Sequence, residues 1–255
     1  MEVKQKVALI SGGASGLGAA SARMIVEGGG RVVLVDIDQA QAEAFARELG
    51  GAAQPVGADV SNPEQVEEAI ALALERFGRL DIAINCAGIG GSKRVVGKEG
   101  PVALEWFTRI IQVNLVGTFN VIRLAAAAMA RNAADEEGER GLIINTASTA
   151  AFEGQIGQAA YAASKGGVVG MTLPIARELG QHGIRTVTIA PGSFDTPLLA
   201  RVPQQTREAL QKSVPFPPRL GRPEEFARLV RAIIENPYLN GEVIRLDGAL
   251  RMAPR

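Results

Sequence analysis

The stretch VALISGGASGLG, residues 7–18, decides how the chain is expected to fold. Its first four residues form a continuous apolar run, which is typical of a parallel strand buried on both faces. A glycine-rich turn follows, and residues 19–27 are predicted to be helical. Strand, glycine-rich turn and helix in this order predict a dinucleotide-binding unit, with an ordinary tight turn as the alternative. Small residues let the backbone approach a pyrophosphate, and the helix N-terminus offers it N–H groups. The residues expected to contact the dinucleotide are Gly12, Ser15, Gly16, Leu17 and Gly18.

The next apolar run, residues 31–36, ends in an acidic side chain. Asp36 follows the glycine-rich turn at the distance where a carboxylate accepts hydrogen bonds from the adenosine ribose hydroxyls. A carboxylate there repels a 2′-phosphate, and Ala14 offers no basic group to compensate. The pattern therefore predicts NAD rather than NADP.

Strands and helices continue to alternate along the rest of the chain. Further strands are predicted at 53–56, 82–85, 142–145, 186–190 and 242–246, and helices at 39–49, 62–77 and 224–235. This alternation predicts an α/β fold of the single-domain Rossmann type, with a doubly wound parallel sheet of about seven strands and helices on both faces. We find no internal repeat and no linker, so residues 1–255 are expected to form one domain.

Several further residues near predicted strand ends are candidates for cofactor binding. Asp59 and Val60 fall where an adenine would lie, and backbone near Phe194 with the Thr196 hydroxyl could hold a carboxamide. The remaining candidates at strand ends are Asn85, Cys86, Ala87, Gly88, Pro191 and Gly192. Cys86 has no histidine nearby in sequence, so a packing role is expected for its side chain.

Three side chains between 148 and 165 suit carbonyl and alcohol redox chemistry. Tyr161 and Lys165 are four residues apart and share a helix face, and Ser148 follows a buried strand. A free tyrosine titrates near pH ~10, and a neighbouring lysine would stabilise the phenolate and lower that pKa. Ser148 would hold the substrate oxygen by a hydrogen bond. A Tyr-x-x-x-Lys pair is common by chance, so the surrounding pattern carries the weight of this prediction.

Five other segments carry structural expectations. A long helix is predicted at 105–130, with a local break and a bound water at Asn114, which is a poor interior helix former. Pro174 is expected to kink the helix that follows Lys165. The segment 90–104, here called the arm, is predicted to be a loop, either solvated or in contact with an anionic substrate. Residues 197–218, here called the lid, mix apolar side chains with prolines and suit a cover over an apolar substrate. The charged stretch 132–141 is expected to be a solvated surface loop.

Composition narrows the class of protein. Positive and negative residues number 27 each, which favours neither a nucleic acid nor a membrane as partner. A single histidine, His182, rules out a histidine-cluster metal site, and one cysteine excludes an internal disulfide. No metal is predicted. No targeting peptide and no membrane span are expected, so the predicted location is cytoplasmic.

These motifs, in this order and spacing, resemble the short-chain dehydrogenase/reductase family from end to end. The matching features are Gly12-x-x-x-Gly16-x-Gly18, Asp36, Asp59-Val60, Asn85-Cys86-Ala87-Gly88, Asn114, Ser148, Tyr161-x-x-x-Lys165 and Pro191-Gly192. Cys86 departs from the commoner Asn-Asn-Ala-Gly form and leaves the catalytic interpretation intact.

Within the family, the chain resembles the 3-hydroxyacyl-CoA dehydrogenase type-2 group. The segments that carry this likeness are 145–148, 151–155, 170–177, 215–221 and 240–249. The resemblance implies NAD, a homotetramer and an acyl-CoA substrate, with (S)-3-hydroxyacyl-CoA and 3-oxoacyl-CoA interconverted in fatty-acid or branched-chain amino-acid catabolism. It also implies a catalytic set of Asn114, Ser148, Tyr161 and Lys165, with Asn114 holding a water that links Lys165 to solvent, and Tyr161 and Lys165 also touching the cofactor.

Three other functions remain open at this point. A hydroxysteroid or general secondary-alcohol dehydrogenase has the same catalytic set and differs in the lining of the lid. A 3-oxoacyl-carrier-protein reductase that uses NADPH would need a basic residue near Ala14 or Ile37, and neither position has one. A non-catalytic NAD-binding scaffold would bind NAD without turnover.

Overall fold

The computed structural model describes residues 1–200 and 202–254; Arg201, in the predicted lid, and Arg255 lie outside the described residues. Strands and helices alternate along most of the chain, as its sequence predicts. In chain order they are β1 (Val7–Ser11), α1 (Gly16–Glu27), β2 (Arg31–Asp36), α2 (Gln39–Leu49), β3 (Ala53–Gly57), α3 (Pro63–Phe77), β4 (Ile82–Asn85), β5 (Val96–Gly97), β6 (Gly100–Pro101), α4 (Leu104–Ile111), α5 (Thr118–Met129), β7 (Gly141–Thr146), α6 (Ala150–Glu153), α7 (Ala159–Gly180), β8 (Ile184–Pro191), α8 (Pro197–Ala200), α9 (Gln204–Lys212), α10 (Pro223–Glu235) and β9 (Val243–Leu246).

Seven of the strands form one parallel sheet, in the order β3-β2-β1-β4-β7-β8-β9. The register pairs Ser11 of β1 with Asn85 of β4, and Asn85 with Asn145 of β7. Successive parallel strands are joined by helices, which is the doubly wound Rossmann arrangement. The predicted fold class, single domain and strand number are confirmed.

Both faces of the sheet are buried, and this explains why its strands read as continuous apolar runs. Alternate residues point to opposite faces, so Leu9 packs in one core while Ala8 and Ile10 pack in the other. The first core is covered by α3, α5 and α7, and the second by α1, α2 and α10. These two layers hold the carboxyl ends of the strands rigidly at one edge of the sheet.

The structure corrects one of the segment predictions and supports another. The arm is not an irregular loop, because β5 and β6 form a small antiparallel hairpin within it. The long helix is interrupted where expected: a π-helical segment, Gln112–Gly117, separates α4 from α5 and contains Asn114. The helix α7 runs continuously through Pro174, and the kink stays a prediction. The Pro174 ring removes a hydrogen bond to the Gly170 carbonyl, and Gly170 is exposed, so water can replace the lost donor.

The continuous helical stretch Leu104–Met129 has the length and apolar composition to cross a membrane, although the sequence predicts no membrane span. Of its most apolar window, 56% is buried inside the protein, and core helices of globular domains pass the same test. The feature is therefore weak evidence for a membrane span.

Candidate active site

The carboxyl ends of the parallel strands bring most of the predicted site residues to one edge of the sheet. β1 lies between β2 and β4, so successive strands are added on opposite sides of it. In open α/β sheets, ligands bind in the crevice outside the strand ends at such a switch point. The predicted nucleotide and catalytic residues follow β1, β2, β4, β7 and β8 around this crevice.

The turn after β1 is packed so closely that side chains would not fit. A Cβ at Gly12, where φ is +64°, would lie 2.8 Å from the Ala87 backbone nitrogen. A Cβ at Gly18 would overlap the Gly12 carbonyl oxygen. Ser15 adopts an extended backbone immediately before α1, and Leu17 packs partly against the core. Bare backbone beside a helix N-terminus is a cradle that fits the pyrophosphate of a dinucleotide.

Asp36 is held beside this turn by two backbone hydrogen bonds. Its Oδ2 accepts from the Ala14 N–H at 3.1 Å, and its Oδ1 accepts from the Asp38 N–H at 3.2 Å. Neither Ala14 nor the exposed Ile37 carries a positive charge. The carboxylate therefore suits free ribose hydroxyls and opposes a 2′-phosphate.

Asp59 and Val60 differ in how open they are to a ligand. The Asp59 Oδ1 accepts from the Ser61 N–H and hydroxyl, at 2.9 and 2.7 Å. Burial raises the pKa of Asp59, but the Ser61 bonds and the Arg109 charge bring it below its usual value. Its Oδ2 lies 3.8 Å from Arg109 Nη1. Val60 is 5% exposed, and the backbone of Gly117 lies so close that a Cβ there would be 2.6 Å from Val60 Cγ2.

A row of buried polar side chains fixes the ends of β1, β4 and β7. The Ser11 hydroxyl donates to Asn85 Oδ1 at 3.3 Å, and Asn85 Nδ2 donates to Asn145 Oδ1 at 2.9 Å. The Ala87 N–H donates to the Ser11 hydroxyl at 3.4 Å. These bonds set the position of the segment after β4, which is expected to border the cofactor.

Cys86 is part of this segment but is a poor candidate for chemistry. Its Sγ lies 3.5 Å from the Thr146 hydroxyl. Burial raises the pKa of the thiol to about 11, although the Thr146 bond and the nearby Lys165 charge act in the opposite direction. A neutral thiol at this position supports the packing role expected from the sequence.

The segment after β8 lies beside the glycine-rich turn. The Pro191 carbonyl accepts from the Thr149 N–H at 3.0 Å, which ties this strand end to the segment that follows Ser148. Thr196 approaches the same turn, since a Cβ at Gly16 would lie 3.4 Å from its Cβ.

Two residues in the segment after β8 are held by distant parts of the chain. The Gly192 N–H donates to the Leu246 carbonyl at 2.9 Å. Phe194 is 7% exposed, and its ring lies against Gly221. The backbone around Phe194 is therefore fixed by packing.

Ser148, Tyr161 and Lys165 converge beyond the end of β7. Ser148 follows that strand by two residues, and Tyr161 and Lys165 lie on the first turns of α7. The Ser148 hydroxyl accepts from the Ala150 N–H at 3.1 Å and is near enough to the Tyr161 phenol to lower its pKa. Lys165 Nζ donates to the Thr146 carbonyl at 2.7 Å and lies 5.9 Å from the centre of the Tyr161 ring.

Burial shifts both titrating groups toward their neutral forms. It raises the pKa of Tyr161, and the hydrogen bond with Ser148 offsets this only in part. It lowers the pKa of Lys165 to about 8, against the opposing effect of Cys86. The expectation that Lys165 lowers the tyrosine pKa is therefore wrong for this structure. Desolvation dominates, and the ammonium is engaged by the Thr146 carbonyl.

Asn114 lies in the π-helical segment and is fully buried. Its Oδ1 accepts from the Ile89 N–H at 2.8 Å, and its Nδ2 donates to the Ile89 carbonyl at 3.0 Å and to the Ser164 hydroxyl at 3.1 Å. A Cβ at Gly88 would lie 3.2 Å from Asn114 Oδ1 and 3.7 Å from Lys165 Nζ. The predicted break therefore brings this amide close to the lysine, on either side of a gap that a side chain at position 88 would narrow.

Three residues that contact the predicted site are not themselves predicted from the sequence. Thr146 anchors Lys165, Ser164 joins Asn114 to the Tyr161 carbonyl, and Arg109 faces Asp59. Ser164 could have been noticed as the polar residue beside Lys165 in a helix of small side chains. Nothing in the sequence signals Arg109, because its contact joins distant segments. Within residues 1–200 and 202–254, no group of three or more His, Cys, Asp or Glu side chains could hold a metal ion.

Comparison with known proteins defines the class. The family model described as short chain dehydrogenase matches residues 6–207. The chain belongs to the short-chain dehydrogenase family, and it is accordingly an oxidoreductase acting on CH–OH groups with a nicotinamide cofactor.

The particular relatives agree with the group predicted from sequence. The chain is 58% identical over 254 residues to 3-hydroxyacyl-CoA dehydrogenase type-2 of Homo sapiens. The alignment covers 99% of this chain and 97% of that protein. A crystal structure of 3-hydroxyacyl-CoA dehydrogenase type-2 from Mycobacterium avium matches with a TM-score of 0.94 and 43% identity, over 98% of this chain and 97% of that one. A 3-ketoacyl-(acyl-carrier-protein) reductase from Brucella melitensis, complexed with NADH, matches with a TM-score of 0.88 and 35% identity, over 98% and 100% of the two chains. The predicted resemblance to the type-2 group is confirmed.

Proposed function

We propose that this protein is an NAD-dependent dehydrogenase that interconverts (S)-3-hydroxyacyl-CoA and 3-oxoacyl-CoA, with Ser148, Tyr161 and Lys165 as its catalytic centre. The convergence of these three side chains beside the glycine-rich cradle is the observation that carries the proposal. The acyl-CoA substrate is supported by the names of the relatives, which are 54–58% identical over nearly the whole chain.

The proposed mechanism assigns one step to each side chain. Ser148 donates a hydrogen bond to the substrate oxygen and holds it beside the Tyr161 phenol. In the oxidative direction, the Tyr161 oxygen takes the hydroxyl proton as the C–H bond of the same carbon breaks and a C=O bond forms. Hydride exchange with that carbon is the chemistry that the nicotinamide cofactor supplies when bound. Lys165, held by the Thr146 carbonyl, passes the proton on toward the Asn114 side of the crevice, where a water is predicted.

The choice of NAD over NADP depends on Asp36. Its carboxylate is fixed beside the cradle by the Ala14 and Asp38 N–H groups, and neither Ala14 nor Ile37 offers a positive charge. The remaining residues proposed to hold the cofactor are Gly12, Ser15, Gly16, Leu17, Gly18, Asp59, Val60, Asn85, Cys86, Ala87, Gly88, Pro191, Gly192, Phe194 and Thr196.

The lid and the arm suit the two chemical halves of an acyl-CoA. Leu198 and Phe216 of the lid expose 48% and 78% of their surface, and a Cβ at Gly90 of the arm would lie 3.6 Å from the Leu198 side chain. The arm carries Lys93 and Arg94. An apolar cover beside a cationic segment matches an acyl chain attached to an anionic carrier.

The homotetramer that the family resemblance implies is proposed here as well, and exposed apolar side chains on the long helix support self-association. Leu104, Phe107, Val116 and Phe119 are between 38% and 71% exposed, more than a monomer needs to leave open on one helix. Sedimentation equilibrium tests the assembly. The cytoplasmic location also stays a prediction, and cell fractionation tests it.

The test of function is the initial rate of the purified protein with acetoacetyl-CoA and either NADH or NADPH. We expect NADH-specific oxidation. Tyr161→Phe should lower kcat by about 10²–10⁴-fold while NADH binding is unchanged, because general acid–base catalysis contributes that much. Tyr238 is 98% exposed, so Tyr238→Phe is the matched control and should behave like the wild type.

Each alternative function predicts a different result of these assays. Preference for NADPH would overturn the role of Asp36 and favour a carrier-protein reductase. Turnover of steroids or simple secondary alcohols without turnover of acetoacetyl-CoA would contradict the substrate but keep the mechanism. NADH binding with no turnover of any such substrate would indicate a scaffold.

A further inference from the structure

The Arg245 guanidinium on β9 joins three segments beside the active site. Its Nε donates to Asp247 Oδ2 at 2.8 Å, its Nη1 to Glu153 Oε1 at 2.8 Å, and its Nη2 to the Leu250 carbonyl at 3.1 Å. The guanidinium also lies 5.3 Å from the centre of the Phe152 ring. All three nitrogens are engaged at once, which a planar fork achieves and a single ammonium does not.

Glu153 connects this guanidinium to the catalytic part of the chain. It ends α6, the short helix that begins two residues after Ser148. Its Oε2 accepts from the Met252 N–H at 2.9 Å, and Arg251 Nε lies 3.4 Å from its Oε1. The bond from Arg245 is the main cause that lowers the pKa of Glu153, so the carboxylate stays ionised at neutral pH.

Asp247 connects the same guanidinium to the segment after β8. A Cβ at Gly192 would lie 2.8 Å from Asp247 Cβ, and the Asp247 side chain is only 8% exposed. Arg245 therefore spans from α6 to the Pro191-Gly192 turn, which is proposed to border the nicotinamide.

The connection between Ser148 and Tyr161, residues 149–160, is held from two sides. On one side, Gln155 Nε2 donates to the Ala253 carbonyl at 2.9 Å, and the Ile156 N–H donates to the Pro254 carbonyl at 3.0 Å. On the other side, the Lys93 N–H of the arm donates to the Gly157 carbonyl at 2.9 Å. Residues 252–254 thus lie along the connection, and Arg245 fixes where they begin.

We propose that Arg245 is a positioning residue for catalysis. It holds Glu153 and residues 250–254, and these in turn hold the connection so that Ser148 and Tyr161 keep their relative positions. The proposal rests on the proposed function for its kinetic readout, and on the hydrogen bonds of the connection for a second readout that needs no substrate. Arg245 touches neither the substrate nor the reacting atoms.

Arg245→Ala removes the guanidinium group and leaves a space that a free guanidinium ion can fill. We expect kcat to fall by about 10–100-fold, because misplacement of catalytic groups by roughly 1 Å costs that much. The Kd for NADH, measured by fluorescence, should change little, since most of the residues proposed to hold the cofactor follow β1, β2 and β4, away from Arg245. Millimolar guanidinium chloride should restore part of kcat, whereas it would restore nothing to a protein that is merely destabilised, and at this concentration it does not unfold proteins.

Hydrogen exchange supplies the readout that is independent of turnover. In Arg245→Ala, the amides of peptides covering 150–158 should exchange faster than in the wild type and slow again with guanidinium. Arg231 pairs with Glu235 on the exposed face of α10 at 2.7 Å, so Arg231→Ala is the matched control and should change neither readout. If the wild type turns over no substrate, the proposed function fails, but the exchange experiment still decides the role of Arg245.

Arg245→Lys is the variant to test if Arg245→Ala does not fold. Lysine keeps the charge but reaches only one carboxylate, so kcat should fall by several-fold with little change in NADH affinity. Wild-type kcat and wild-type exchange in Arg245→Lys would overturn the proposal. So would loss of kcat in Arg245→Ala without faster exchange in 150–158.

Discussion

Lys165 is a charged side chain that is only 5% exposed, so its replacement by methionine should stabilise the fold while removing activity. Burial lowers its pKa from 10.5 to about 8. At ~1.4 kcal/mol for each tenfold change in the proton equilibrium, this makes the charged lysine cost about 3 kcal/mol at pH 7. Loss of the hydrogen bond from Lys165 to the Thr146 carbonyl offsets about 1 kcal/mol of this gain in stability. Lys165→Met should therefore be about 2 kcal/mol more stable than the wild type.

The sign of the pH dependence follows from the lowered pKa. Below pH 8 both the folded and unfolded states keep the proton, and the whole cost is present. Between pH 8 and 10.5 the folded state has released the proton while the unfolded chain still holds it, so the wild type gains stability as pH rises. The advantage of Lys165→Met should shrink to below about 1 kcal/mol by pH 9.5.

Urea unfolding at pH 7 and 9.5, at one protein concentration, measures this difference. Lys4 is exposed, so Lys4→Met should show no such pH-dependent gap. An advantage for Lys165→Met that is absent at pH 7, or that does not narrow with pH, would refute the reasoning. The kcat of Lys165→Met should fall at least as far as general acid–base catalysis predicts, by about 100-fold.

Two further substitutions test the pocket and the core. Asp36→Ser should raise the ratio of kcat/KM for NADPH over NADH by about 10–100-fold, because it removes a carboxylate that repels the 2′-phosphate. An unchanged ratio would contradict the cofactor assignment. Glu139→Gln should cost about 3 kcal/mol in urea unfolding, because it leaves the buried Arg185 without its charge partner. The exposed Glu235→Gln should cost below about 0.5 kcal/mol, and equal losses in the two variants would argue against a buried pair.

The buried pair of Glu139 and Arg185 shows where sequence-based prediction was wrong. Residues 132–141 carry several acidic side chains and were expected to form a solvated loop. Glu139 is instead 8% exposed, and its Oε1 lies 2.7 Å from Arg185 Nε. The partner is 46 residues away in the chain, so no local pattern announces the contact.

The predictions for the arm and for the pKa of Tyr161 were wrong for related reasons. The hairpin β5–β6 is built from two pairs of residues with little strand character in the sequence, and its base is set by contacts such as Lys93 N–H to the Gly157 carbonyl. The pKa of Tyr161 depends on how many neighbours exclude water from the phenol. The presence of a lysine four residues away in sequence does not predict that desolvation.

Local sequence patterns were sufficient to predict the α/β class, the strand positions, the glycine-rich cradle and the candidates Ser148, Tyr161 and Lys165. A strand buried on both faces must be apolar throughout, and a pyrophosphate site needs bare backbone. The bond from Lys165 to Thr146, the position of Asn114 near it, and the link from α6 through Arg245 to the segment after β8 became visible only in the folded chain. Those contacts join residues far apart in the chain. Desolvation and ion pairing depend on what packs nearby in space, and the order of residues does not encode that in any short pattern.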